Sequence, residues 1–173
     1  MRQIATSARI RAFLTHLGRA TDHPTKAYLT GGSTAVLVGW RDSTIDIDLK
    51  LVPETSSVLR AIPRLKEQCQ INVELASPDL FIPVPPGWED RSPTALVAGL
   101  LSVHHFDLTA QAMAKIERGH TRDLADVAAM LERKLVTREG IAAFLDAVEP
   151  ELYRFPAVDP PSLRQAVQDV LES

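Results

Sequence analysis

YLTGGSTAVLVGWRDSTIDIDLKL, residues 28–51, decides how this chain is read. Tyr28-Leu29-Thr30 reads as a short strand, Gly31-Gly32-Ser33 as a turn, and residues 34–40 as a short helix. IDIDLKL, residues 45–51, alternates strictly, which puts Ile45, Ile47, Leu49 and Leu51 on one face and Asp46, Asp48 and Lys50 on the other. Two carboxylates at i and i+2 on a strand repel each other unless a cation neutralises them. Mg²⁺, hard and oxygen-loving, is the natural cation. The glycines let backbone approach a ligand closely, and a helix beginning at Ser33 offers N–H groups to an anion. A phosphate cradle beside a paired-carboxylate metal site suits nucleotidyl transfer with two metals.

Outward from this segment the chain is mixed in its front half and helical in its back half. Residues 2–18 have Ile10, Phe13, Leu14 and Leu17 at helical spacing, with Gly18 as a stop and Arg2, Arg9, Arg11 and Arg19 on the other face. Residues 56–68 are helical in pattern, but Pro63 predicts a break. QINVELA, residues 70–76, alternates as a second strand, with Glu74 facing away from Val73 and Leu75. Residues 77–93 hold five prolines and no helical period, so they read as a loop, and residues 94–106 as partly extended. From Asp107 onward Asp107, Thr121, Thr137 and Asp159 are cap candidates for four helices, and Gly119 is a stop. The fold class is α+β: a small mixed sheet with flanking helices over residues 1–106, then a helical region over 107–173, the two forming one compact unit.

Twenty-two acids against nineteen bases leave a net charge of −3, which counts mildly against bulk-charge binding of nucleic acid. The charge is graded, however: +5 over residues 1–41, −5 over residues 139–173 and −3 between them. The basic end could meet a polyanion. A single cysteine, Cys69, excludes an internal disulfide and a multi-cysteine zinc site. No apolar run has the length of a membrane span, and the N-terminus lacks the long apolar core of a signal peptide, so a soluble cytoplasmic protein is expected. His104 and His105 lack spaced metal-binding partners, and Trp40 and Trp88 read as packing residues.

The pattern Gly31-Gly32-Ser33, a gap, then Asp46-Ile47-Asp48-Leu49 resembles the signature of the DNA polymerase beta-like nucleotidyltransferase superfamily. Arg41 and Thr44 before the aspartates resemble the arginine and threonine of its MenT and AbiEii-type toxin branch. INVELASPDLFIPVPPGW and HHFDLTAQAMAKIERGHTRDLADVAAML look like later blocks of small MenT-like proteins, with a weaker echo at Tyr153-Arg154-Phe155-Pro156. The resemblance thus covers about residues 28–135. It implies a sheet of the nucleotidyltransferase type and a C-terminal helical bundle that completes the cleft. It also implies a third carboxylate on a neighbouring strand, for which Glu74 is the match and Asp79 the substitute. Asp46, Asp48 and Glu74 would then hold two Mg²⁺ ions.

By the same resemblance a lysine on a later helix meets the triphosphate. Gln111, Lys115 and Arg118 share one helical face, and Lys115, with Arg118 second, is the candidate. Gly32, Ser33, Arg41 and Thr44 complete the nucleotide-binding set. Asp123 and Asp126 either orient Lys115 and Arg118 or support their own helix's N-terminus. The implied activity is transfer of a nucleoside monophosphate from an NTP such as ATP to RNA, the tRNA 3′ end in particular. The protein would act as the toxin of a type IV toxin–antitoxin pair, with a cognate antitoxin. Transfer to a protein or a small molecule remains the alternative, as does a non-catalytic antitoxin or interaction module.

Overall fold

The computed structural model describes residues 2–173. The fold is α+β, and the chain divides into two units: residues 1–77 with 92–106, and residues 78–91 with 107–173. The division falls between Phe106 and Asp107, and it also sets residues 78–91 apart from the rest of residues 1–106. The proline-rich segment joins the helical unit.

The first unit contains β1 (Ala5–Thr6), α1 (Ser7–Ala20), β2 (Thr25–Thr30), α2 (Gly31–Val38), β3 (Ser43–Thr44), β4 (Asp46–Val52), α3 (Ser56–Cys69), β5 (Asn72–Leu75), β6 (Thr94–Ala98) and β7 (Leu101–His105). Five strands form a mixed sheet in the order β5-β4-β2-β7-β6, and β1 pairs with β3 in a separate ribbon. In the sheet β2 runs antiparallel to β4 and parallel to β7. Ile10, Phe13, Leu14 and Leu17 of α1 and Val58, Ala61, Ile62 and Leu65 of α3 form one core with Leu29, Ile47, Leu49, Val73 and Val103. Burying each large apolar side chain contributes about 1.5–3 kcal/mol. The sheet's other face carries Asp46, Asp48 and Lys50, as alternation requires.

Several local expectations change in this unit, and α2 begins at Gly31, where the sequence predicts a turn. Residues 5 and 6 are strand, not helix, and α1 runs through Gly18. Gly18 is there for contact rather than termination: a Cβ on it would sit 2.3 Å from the Ala98 carbonyl oxygen. Ile45 is 65% exposed rather than in the core, because it lies between β3 and β4 and so outside the β4 alternation. Leu75 is also exposed, at the end of the edge strand β5. Pro63 does not break α3. It lies on the exposed face, where water can reach the Leu59 carbonyl that the missing N–H leaves without its helical partner.

The second unit contains α4 (Leu108–Arg118), α5 (Thr121–Glu132), α6 (Arg138–Val148) and α7 (Pro160–Glu172), with 3-10 turns at Pro78–Leu80 and Glu149–Arg154. The caps are mostly as the sequence indicates. Asp107 Oδ1 accepts from the Thr109 and Ala110 amides, at 3.0 and 3.2 Å. Thr137 accepts from Gly140, and Asp159 from Ser162. Gly119 ends α4 at φ 68°. His120, not Thr121, occupies the N-cap of α5. Arg91 braces the proline segment: its Nε donates to the buried Asp107 at 2.7 Å, and its terminal nitrogens donate to the Pro86 and Pro85 carbonyls at 2.9 and 3.0 Å.

Gly18→Ala should destabilise the protein by about 1–3 kcal/mol, read as a lower urea midpoint. Helix propensity alone would give a gain of about 1 kcal/mol, so the sign of the change separates steric contact from helix chemistry.

Candidate functional site

In the first unit, β2 ends at Thr30 and α2 begins at the next residue. Thr30 lies opposite Asp48 in the β2–β4 register. The Gly-Gly turn and the second aspartate are therefore neighbours in space as well as in motif. A Cβ on Gly31, whose φ is +61°, would lie 3.1 Å from Asp48 Oδ2. Gly32 has no room for a side chain: its Cβ would meet Thr44 Oγ1 at 2.1 Å. Gly32 and Thr44 thus sit face to face, and the close approach that the glycines allow is to protein backbone and side chain. Arg41 follows α2 and is partly buried.

The parallel β4–β5 register sets Asp46 beside Asn72 and Asp48 beside Glu74. Asp46 and Asp48 are half-buried, and Glu74 is exposed. The Asn72 amide bridges two of the acids, donating to Asp46 Oδ1 at 2.7 Å and to Glu74 Oε1 at 3.1 Å. Arg2 in turn donates to Asn72 Oδ1, which fixes the amide's orientation. Asn72 was not singled out in the sequence, although two signals pointed to it. It is two residues before Glu74, hence on the same face, and asparagine is depleted in strands.

The donors suit Mg²⁺ in kind, being carboxylate oxygens on one strand face and its neighbour. Among the described residues, no group of three or more His, Cys, Asp or Glu side chains is gathered as a metal site. The fit therefore rests on Asp46 and Asp48, with Glu74 drawn to Asn72 rather than closed around a common point.

Ser33 departs from its expected use. It is fully buried, and its hydroxyl lies 2.8 Å from the Thr30 carbonyl and 3.3 Å from that of Asp48. The side chain ties α2 to the ends of β2 and β4, leaving an anion only the helix N-terminus. The basic face of α1 is also partly committed. Arg9 donates to the Cys69 and Gln70 carbonyls at the C-terminus of α3, and Arg2 reaches Glu67 as well as Asn72. Arg11 and Arg19 stay exposed.

The remaining candidates lie in the second unit. Lys115 is 3% exposed, with Nζ 2.7 Å from Asp126 and 3.5 Å from Asp123. Arg118 grips Asp123 with two hydrogen bonds of 3.0 and 2.7 Å. Asp123 and Asp126 are therefore the ion-pair partners of Lys115 and Arg118. Along the stripe Gln111, Lys115, Arg118, the first two are buried and Arg118 is exposed. Asp79, the substitute third carboxylate, lies in the second unit, in the 3-10 turn at Pro78–Leu80.

His105 is buried in the first unit, with Nδ1 3.1 Å from Thr34 Oγ1. Burial, then the charges of Arg11 and His104, lowers its pKa to about 4. Burial likewise pushes the Cys69 thiol up, away from nucleophile chemistry.

Comparisons with family models, with curated proteins and with solved structures found no match. No described helix is long and apolar enough to cross a membrane.

Asp126→Ala should destabilise the protein by up to about 3–5 kcal/mol in chemical denaturation, because it leaves the buried Lys115 ammonium only its longer contact to Asp123, at 3.5 Å. Histidine 105 binds a proton in the unfolded chain below about pH 6.5 but in the folded chain only below about pH 4. Stability should therefore fall as pH drops from 6.5 to 4, by up to about 3 kcal/mol. His105→Gln should flatten that part of the profile.

Proposed function

We propose that this protein is a Mg²⁺-dependent nucleotidyltransferase that moves a nucleoside monophosphate from an NTP to an RNA acceptor, the tRNA 3′ end foremost. The observation that carries the reading is the register of Thr30 opposite Asp48. It sets the N-terminus of α2 beside a strand with two outward aspartates, the arrangement that the spacing in residues 28–51 called for. The resemblance to the MenT and AbiEii-type branch supplies the rest, including the nucleotidyltransferase type of sheet, the helical bundle and a role as the toxin of a type IV pair with a cognate antitoxin.

In this reading Asp46 and Asp48 hold the metal, with Glu74 as the adjoining third carboxylate. Bound Mg²⁺, two ions by the family resemblance, would neutralise the triphosphate and acidify the acceptor hydroxyl. The chain's own groups do the positioning. The N-terminal turn of α2, at the positive end of the helix dipole, faces the phosphates. Gly32 against Thr44 holds that turn at its distance from β4. Glu74, exposed at the sheet edge, accepts the proton of the attacking hydroxyl, whose oxygen bonds to the α-phosphorus as pyrophosphate leaves. The first unit, with ten bases against seven acids and a net of +3, is the RNA-facing side. Arg11 and Arg19 are its exposed cations on α1, beside Arg60 and Arg64 on α3.

Incubating the protein with total RNA and each α-labelled NTP in turn should label RNA only when Mg²⁺ is present. Asp46→Ala with Asp48→Ala should cut labelling by about a thousandfold or more. Full activity in that double variant sinks the site, and label found only in protein or in a small molecule moves the acceptor to those classes. Arg11→Ala with Arg19→Ala should weaken RNA binding and flatten its salt dependence, measured by filter binding across the salt range.

A further inference from the structure

The second unit contains a cavity of about 580 Å³ that plays no part in the proposed reaction. Its walls come from the proline segment and from the region where α6 passes into the 3-10 turn at Glu149–Arg154. Trp88 and Phe155 line it, together with Asp79, Glu151 and Arg154. The volume is that of a small-molecule site. The wall is also braced from behind. Arg91 holds the Pro85 and Pro86 carbonyls and is anchored on buried Asp107, and prolines cannot relax far. The cavity is therefore preformed, which lowers the ordering cost of binding.

Its chemistry favours one charge sign. Two carboxylates face one guanidinium, and Arg154 already lies 3.3 Å from Glu151. The lining is thus net negative. Aromatic ring faces attract cations through their quadrupole. The whole unit has fifteen acids against nine bases, a net of −6, so its field draws cations and repels phosphates.

We infer that this cavity is a binding site for an organic cation, an alkylammonium or guanidinium group on an apolar stem. The inference stands apart from the nucleotidyl-transfer reading and needs no catalytic residue. The cation could be a free polyamine or a basic side chain presented by a peptide, and spermidine and Nα-acetyl-arginine amide are the respective probes.

The test uses the full chain and isothermal calorimetry. A second readout is indole fluorescence in a Trp40→Phe background, where Trp88 is the remaining tryptophan. One or both cations should bind saturably at low millimolar concentration or below and quench Trp88, and the tighter of the two identifies the source. Asp79→Asn with Glu151→Gln should weaken binding by about tenfold or more at an unchanged melting temperature. Glu132→Gln with Glu139→Gln, which removes the same charge elsewhere in the unit, should leave affinity as it was. The inference is overturned if neither cation saturates, if the two double variants weaken binding equally, or if neutral Nα-acetyl-citrulline amide or AMP binds as well as the cations. If the cavity variant fails to fold, Trp88→Leu supplies the comparison, and undiminished affinity there overturns the inference too.

Discussion

One antiparallel pairing, Thr30 opposite Asp48, governs the chemistry of the first unit. α2 springs from β2 without a connecting loop, so the register that places Asp48 also places the helix N-terminus. A slip by one residue would send Asp46 and Asp48 into the apolar face and bring Ile47 and Leu49 out. The hydrophobic core beneath, Ile47 and Leu49 against α1 and α3, forbids that slip. Core packing and site geometry are thus one constraint viewed from two faces of a strand. Gly32 against Thr44 tightens it, since neither position tolerates extra bulk at that contact.

A second theme is the internal use of cations. Arg2 and Arg9 serve the C-terminus of α3 and the Asn72 amide. Arg91 splints the proline segment onto Asp107. Lys115 and Arg118 face Asp123 and Asp126. Burial of Lys115, Asp123 and Asp126 is tolerated because each charge has a partner, with Arg118 gripping Asp123 from the exposed side. Counting bases along the chain overstates what is offered to a polyanion. Dividing the charge by unit sharpens the contrast instead, with +3 on the sheet unit and −6 on the helical one.

Much of the fold was legible because it follows from local rules. The alternation in residues 46–51, the apolar stripe of α1, and the caps at Asp107, Thr137 and Asp159 are dictated by period and by hydrogen-bonding capacity. The misreadings share one cause: a residue judged by its local habit was decided by a distant neighbour. Gly18 reads as a helix stop but is a contact with Ala98. Ile45 fits the strand period but lies outside the strand.

By itself the sequence determined the α+β class, the strand that carries Asp46 and Asp48, and the short helix that precedes it, though α2 begins at Gly31 itself with no turn before it. Backbone periodicity and capping depend on residues within a few positions of one another, so they can be read locally. The tertiary structure alone decided which polar groups have partners. It brought Asn72 between Asp46 and Glu74, turned Ser33 inward, buried Lys115 and enclosed the cavity beside Trp88. Those outcomes depend on groups up to seventy residues apart, as Arg2 and Asn72 are. The physical reason is that a hydrogen bond or ion pair forms with whatever the folded chain brings within reach, and no local spacing encodes that.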